Sequence, residues 1–138
     1  MATTSGQTCV LRHSGDHYHG KQGMDYGSGI SAESAGAQAI CMNVLDLPPG
    51  ARGKAHLHEA HETAIYVISG SGEMLYGEGL RERMTYAAGD YIYIPAGAPH
   101  VPINTSATEH LVAVVARTDP NEQESVVLLP DLDGQRTG

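Results

Sequence analysis

An all-β single domain is the fold class this sequence predicts, and three observations carry it. From residue 38 onward, short apolar runs recur at roughly ten-residue spacing, as the strands of a sandwich or barrel do. Glycine, proline and asparagine stand between the runs, where tight connections need them. No stretch shows the 3.6-residue apolar period of a helix of ordinary length.

Residues 1–37 read as an N-terminal arm with a first strand and a Gly-rich loop. The segment 13–36, HSGDHYHGKQGMDYGSGISAESAG, is rich in Gly, Ser and His and keeps neither a 3.6 nor a 2 period. Its His17 and His19 form an H-x-H pair with no strand signal around it, which favours a solvated loop over a ligand pair. Lys21, Gln22 and Tyr26 reach a substrate pocket if the arm closes over a barrel mouth.

Residues 38–130 form the barrel itself. Its runs are AICMNVLDL (39–47), TAIYVIS (63–69), GEMLYG (72–77), RMTYAA (83–88), DYIYIP (90–95), HVPIN (100–104), HLVAVVAR (110–117) and SVVLLP (125–130). Between them, SGSG (69–72) and YGEGL (76–80) supply glycine for turns that need positive φ. TAIYVI and LVAVVA are apolar on both faces, so one face belongs to the core and the other to a second sheet or subunit. A homodimer is expected on that ground. Residues 131–138 read as a polar C-terminal tail, and TDPNEQE, with Asp119 and Glu122, as a solvated loop with too few oxygens for calcium.

Composition narrows the partners. A chain of 138 residues is one domain with room for a proper core. Sixteen acidic residues against eight basic give a net charge of -8, and no window gathers Lys and Arg into a stripe, which argues against nucleic acid. No basic segment leads into an apolar run, and no window has the ~18 apolar residues of a membrane span, so a cytoplasmic protein without a membrane partner is expected. Cys9 and Cys41 each sit in an apolar context with no second cysteine nearby, which suits buried thiols. Tyrosine supplies all seven large aromatics, and each hydroxyl wants a partner when buried.

The stretch 49–70, PGARGKAHLHEAHETAIYVISG, carries the chemistry. Alternate residues of a strand face one way, so His56 and His58 share a face with Cα atoms roughly 6–7 Å apart, close enough to converge on one ion. A third ligand comes from Gly89–Asn104, where an apolar strand meets a Pro/Gly turn that delivers His100 at the start of the next strand.

The two stretches resemble the two motifs of the cupin superfamily. The second reads Gly, five residues, Pro, one residue, Gly, two residues, His, three residues, Asn; Gly89, Pro95, Gly97, His100 and Asn104 fall on every position. The first reads Gly, five residues, His-x-His, three or four residues, Glu, six residues, Gly, and Gly50, His56 and His58 meet it. Its acidic position is ambiguous. Counted forward from His58 it falls on Glu62, and counted back from Gly70 it falls on Thr63, which a strand points to the opposite face. Three histidines, three histidines with Glu62, or a variant that His61 joins after a bend all remain open.

This resemblance covers about residues 40–117 and implies a cupin-type jelly-roll β-barrel, dimeric, with a metal inside. It favours Fe(II), with Mn, Ni and Zn behind it. Three imidazoles leave open positions on such an ion, where a small molecule can bind through two oxygens. The expected function is a metal-dependent enzyme on such a substrate, with dioxygenase-like chemistry ahead of isomerase, lyase or cyclase chemistry. His56, His58 and His100 are the expected ligands, with Glu62 a fourth ligand or a general base. A non-catalytic small-molecule binding barrel is the reading from another class.

Overall fold

Eleven strands account for nearly all the regular structure of the computed structural model, which describes residues 8–123 and 125–133. The start of the arm (1–7) and the end of the polar tail (134–138) lie outside the described residues. In chain order the strands are β1 (His17–His19), β2 (Asp25–Ile30), β3 (Cys41–Leu47), β4 (His56–His58), β5 (Thr63–Ser69), β6 (Ser71–Tyr76), β7 (Glu82–Ala87), β8 (Tyr91–Ile94), β9 (His100–Ile103), β10 (Leu111–Arg117) and β11 (Val126–Leu128). They form two antiparallel sheets in the order β1-β2-β3-β10-β5-β8 and β11-β4-β9-β6-β7, the jelly-roll arrangement. Among the described residues no helix is long and apolar enough to cross a membrane.

Side-chain alternation decides what lies between the sheets. On β3, Cys41, Asn43, Leu45 and Leu47 are buried while Met42, Val44 and Asp46 face out; on β10, Leu111, Ala113, Val115 and Arg117 are buried. Of these, Leu45, Leu47, Leu111 and Val115 meet Met24, Tyr26, Val67, Met74, Tyr86, Ile92 and Ile94 in one core. Burial holds the Tyr86 phenol far above its ordinary range, with Glu73 adding to the effect, while its hydroxyl donates to the Glu73 carbonyl at 3.1 Å. A smaller cluster, Ala55, Leu75, Leu80, Val101 and Ile103, lies on the other side of the second sheet, and Leu129 and Leu132 pack on it. That cover explains why all four residues of β9 are buried.

The segment 13–36, expected as an arm or loop, carries β1, β2 and a one-turn helix, α1 (Ala32–Ala35), capped by Ser31 and Ser34. The reason is close approach. A Cβ at Gly29 would stand 2.4 Å from the Met42 carbonyl oxygen, so this glycine, one of those that erase the period of two, is what allows β2 to lie against β3. His17 and His19 do sit on a strand, and His19 Nδ1 pairs with Asp25 Oδ1 at 2.7 Å on the surface.

The outer face of the first sheet is apolar across four strands. The registers align Met42, Ala116, Ala64 and Tyr93 in one row and Val44, Val114, Tyr66 and Tyr91 in the next. Tyr91 is 81 % exposed and Tyr93 62 %, an unusual state for side chains so placed.

Two residues fix how the chain turns corners. Asn104, fully buried, shares its amide N–H groups among the carbonyls of Leu47, Pro48 and Glu109 at 2.8–3.1 Å and accepts from the Ser106 N–H at 3.0 Å, joining the ends of β3 and β10. Gly70 carries the chain from β5 in one sheet to β6 in the other with φ +82°, and a Cβ there would stand 2.3 Å from the His110 carbonyl oxygen. Left-handed backbone costs a non-glycine residue about 1–2 kcal/mol before that clash is counted. Gly70→Ala is therefore expected to lower unfolding free energy by at least about 2 kcal/mol in urea titrations; a loss below about 0.5 kcal/mol would show that the corner is not constrained in this way.

Candidate metal centre

The site begins with a backbone register. β4 and β9 pair with His56 opposite His100, so the two imidazoles start from neighbouring positions and point into the barrel, and His58 follows two residues along on the same face. All three are at least 96 % buried, and one ligand nitrogen of each lies within 4.8 Å of the others. Their ring centroids are 4.2–5.0 Å apart.

Orientation comes from the same device on each strand. Nδ1–H of His56 donates to the Lys54 carbonyl at 2.6 Å, and Nδ1–H of His100 donates to the Ala98 carbonyl at 2.9 Å. Each bond fixes the ring and leaves Nε2 with its lone pair, the outer support that metal-binding histidines usually have. Three converging imidazoles, two of them so oriented, fit a divalent ion of borderline softness, and they form a candidate divalent metal site.

The interior cavity at this site has a volume of about 40 Å³, room for a few waters. Gln22, Thr63 and the three histidines give it a polar side, and residues such as Leu45, Ile65, Met74, Ile92 and Val115 give it an apolar one. Gln22 Nε2 donates to the Tyr26 hydroxyl at 2.7 Å, and both are buried at the cavity wall. Lys21, by contrast, is exposed.

The structure brings His56, His58 and His100 together and does not bring Glu62 to them. Glu62 is exposed, and its carboxylate accepts from the Tyr93 hydroxyl at 2.9 Å, a bond that raises the Tyr93 pKa. Thr63, the first residue of β5, is the one that turns inward. No bulge intervenes to let both face the cavity. His61 is buried with its ring 4.6 Å from that of His58, but it is not among the cavity walls. The count back from Gly70 was the signal for Thr63, a residue whose hydroxyl did not mark it as a site member.

Beside His61 runs the loop that follows β10. Asp119 Oδ2 stands 3.6 Å from His61 Nδ1 and accepts from the Ser125 N–H, while Oδ1 accepts from the Asn121 N–H. Arg117, inward on β10, donates to the carbonyls of Asn121 and Glu122 at 2.8 Å each. Further out, the Ser28 hydroxyl donates to Glu122 at 2.6 Å and Gln123 donates to the His19 carbonyl at 2.9 Å, so this loop joins the barrel to β1 and β2.

Partial burial pushes the Asp119 carboxyl up, but the amides of Asn121 and Ser125, together with His61, outweigh it and hold it below its ordinary range. A depressed folded pKa contributes stability above the unfolded value, and that contribution is lost as pH falls through the folded one. Asp119→Asn is expected to lower the urea midpoint at pH 7, with wild type and variant converging as the pH drops below the ordinary carboxylate range. A gap that persists unchanged into that acid range would assign the loss to something other than the ionised carboxylate.

Three comparisons bear on the site. The family model described as cupin domain matches residues 43–116, which include all three histidines. An uncharacterized protein of Aquifex aeolicus (strain VF5) is 39 % identical over 59 residues, covering 43 % of this chain and 46 % of that one, so the match spans about half of the curated relative. Among solved structures, a provisionally named sugar phosphate isomerase of Acidithiobacillus ferrooxidans ATCC 23270 superposes with a TM-score of 0.61 at 25 % identity, over 78 % of this chain and 69 % of the other. An oxalate decarboxylase of Bacillus subtilis, a protein with Mn(II) centres, gives 0.65 at 23 % identity over 79 % and 29 %, a likeness of fold.

Proposed function

This chain belongs to the cupin domain family, and from that premise we propose that it is a metal-dependent enzyme acting on a small organic molecule that chelates the ion through two oxygens. The observation that carries the reading is the trio of buried imidazoles, two of them oriented by backbone carbonyls, facing a cavity. A binding barrel with a structural metal favours four protein ligands and a closed site, whereas three ligands beside open space leave positions for a substrate.

Fe(II) is the proposed ion, with Mn, Ni and Zn behind it. An all-imidazole set suits iron, nickel and zinc better than manganese, which takes carboxylate and water oxygens more readily. When bound, such an ion supplies Lewis acidity and open coordination positions, and with iron the one-electron chemistry of an oxidase or dioxygenase. His56 and His100 are held ready to coordinate by their carbonyl bonds. The apolar walls keep bulk water from the reacting atoms, and the Gln22–Tyr26 pair, joined by its own hydrogen bond, lines the same space.

Oxidative chemistry is placed ahead of isomerase, lyase or cyclase chemistry; likeness to a sugar phosphate isomerase and an oxalate decarboxylase supports the second group. The deciding experiment is elemental analysis of protein purified without oxygen or added metal, alongside O₂ uptake with small diols and keto acids. Near-stoichiometric iron and substrate-dependent O₂ consumption are expected. Stoichiometric zinc, nickel or manganese with no O₂ uptake would move the assignment to the second group. His56→Ala is expected to weaken metal binding at least about 100-fold and abolish turnover, and metal retained after loss of two of the three histidines would sink the site.

The proposed assembly is a homodimer. Two uninterrupted apolar rows on the outer face of the first sheet, with Ile40 and Ile68 beside them, expose an area on the order of that which one partner contributes to a standard interface. The rows carry no charge, so a second copy meets them without the repulsion expected between chains of net charge -8. Light scattering is expected to give twice the 14.6 kDa chain mass. Tyr66→Asp should halve it, and a wild-type monomer at high concentration would refute the assembly.

A further inference from the structure

We propose that this centre selects its substrate by charge: it takes a small anion that chelates the ion through two oxygens, one of which is also held by the hydroxyl of Thr63. The inference rests on the reading of the three histidines as metal ligands and adds the substrate class to it.

Three observations converge on Thr63. It lines the same cavity as His56, His58 and His100, and it is 4 % exposed. Its Oγ1 has no hydrogen-bond partner among the described residues, although buried hydroxyls nearly always have one. It also occupies the inward position at the start of β5, while the carboxylate that precedes it in the chain, Glu62, is turned out to solvent. A hydroxyl left unsatisfied at the wall of a ligand cavity is a group kept for the ligand.

Charge supplies the rest. No Asp, Glu, Lys or Arg lines the cavity, and three neutral imidazoles bring no negative charge to the ion. A divalent ion there keeps its two positive charges in surroundings that are largely apolar, where an uncompensated charge is costly. With no protein carboxylate in the cluster, the compensation comes from what binds. A hydroxy acid, keto acid or dicarboxylate supplies it through the same two oxygens that chelate, and a neutral diol does not. The cavity volume of about 40 Å³ restricts such a ligand to a few non-hydrogen atoms.

The test uses the full chain loaded with Zn(II), which is redox-silent, and calorimetric titration with three two-carbon probes of equal reach and rising charge: ethylene glycol, glycolate and oxalate. Affinity is expected to rise at least about tenfold at each step, and neither anion is expected to bind the metal-free protein. Thr63→Val should weaken glycolate and oxalate roughly tenfold while leaving Zn(II) affinity within about twofold, and Thr63→Ser should restore them. Thr63→Asp should hold Zn(II) at least as tightly and weaken oxalate by tenfold or more, since the protein then supplies the missing charge. Ethylene glycol binding within about threefold of glycolate, or anion affinities unmoved in Thr63→Val, would overturn the proposal while leaving the metal site standing. Failure of the wild type to bind Zn(II), or binding that survives His56→Ala undiminished, would instead bring down the metal reading and this proposal with it.

Discussion

Everything at this site depends on one short strand pairing. β4 is three residues long, and the pairing of His56 with His100 is the register that places two imidazoles side by side and a third two residues on. A strand so short cannot hold its own register, because one-residue slips exchange its faces. Its neighbours hold it instead. β11 pairs with all three of its residues, the Gly97 N–H donates to the His58 carbonyl at 2.7 Å, and the Leu129 N–H donates to the Ala55 carbonyl at 2.8 Å. The C-terminal segment thus does for the metal centre what a longer strand would do by itself, and its leucines bury the back of β9 at the same time.

The interior divides along the barrel. Towards Leu47, Leu111 and Val67 the inward side chains are apolar. Towards the opposite end the cross-strand row of Cys41, Arg117 and Thr63 is polar, and Asn43 stands next to it on β3 with its amide donating to the Tyr18 hydroxyl at 2.7 Å. The apolar end supplies the burial that keeps the fold together, and the polar end supplies groups that only a ligand or a loop can satisfy. The three histidines come from the facing sheet.

Much of this was legible in the sequence because it depends on local rules. The period of two placed His56 and His58 on one face, and the Pro/Gly turn before His100 marked the start of a strand. The runs with two apolar faces, TAIYVI and LVAVVA, became adjacent strands of the first sheet, one face in the core and the other in the exposed rows. What could not be read were facts of register and approach. Glu62 and Thr63 are one residue apart, and only the pairing of Thr63 with Ile94 on β8 and Arg117 on β10 decides which of them faces in. β2 hid its strand character in part because Gly29 answers to the Met42 backbone beside it, a neighbour outside the local pattern. Asn104 looked like one more motif position, yet its amide joins two strand ends that no local pattern connects.

The loop after β10 is tied in two ways of different strength. At its root, the buried Arg117 guanidinium grips two carbonyls, whereas further out the ties are the part-buried bond from the Ser28 hydroxyl to the Glu122 carboxylate and the exposed bond from the Gln123 amide to the His19 carbonyl, the last worth a net ~0.5–1.5 kcal/mol. The rigidity that aims the imidazoles therefore resides in the strand pairings, and this loop is joined to the barrel by a separate set of bonds, so a change in its outer ties leaves the register of His56 and His100 in place.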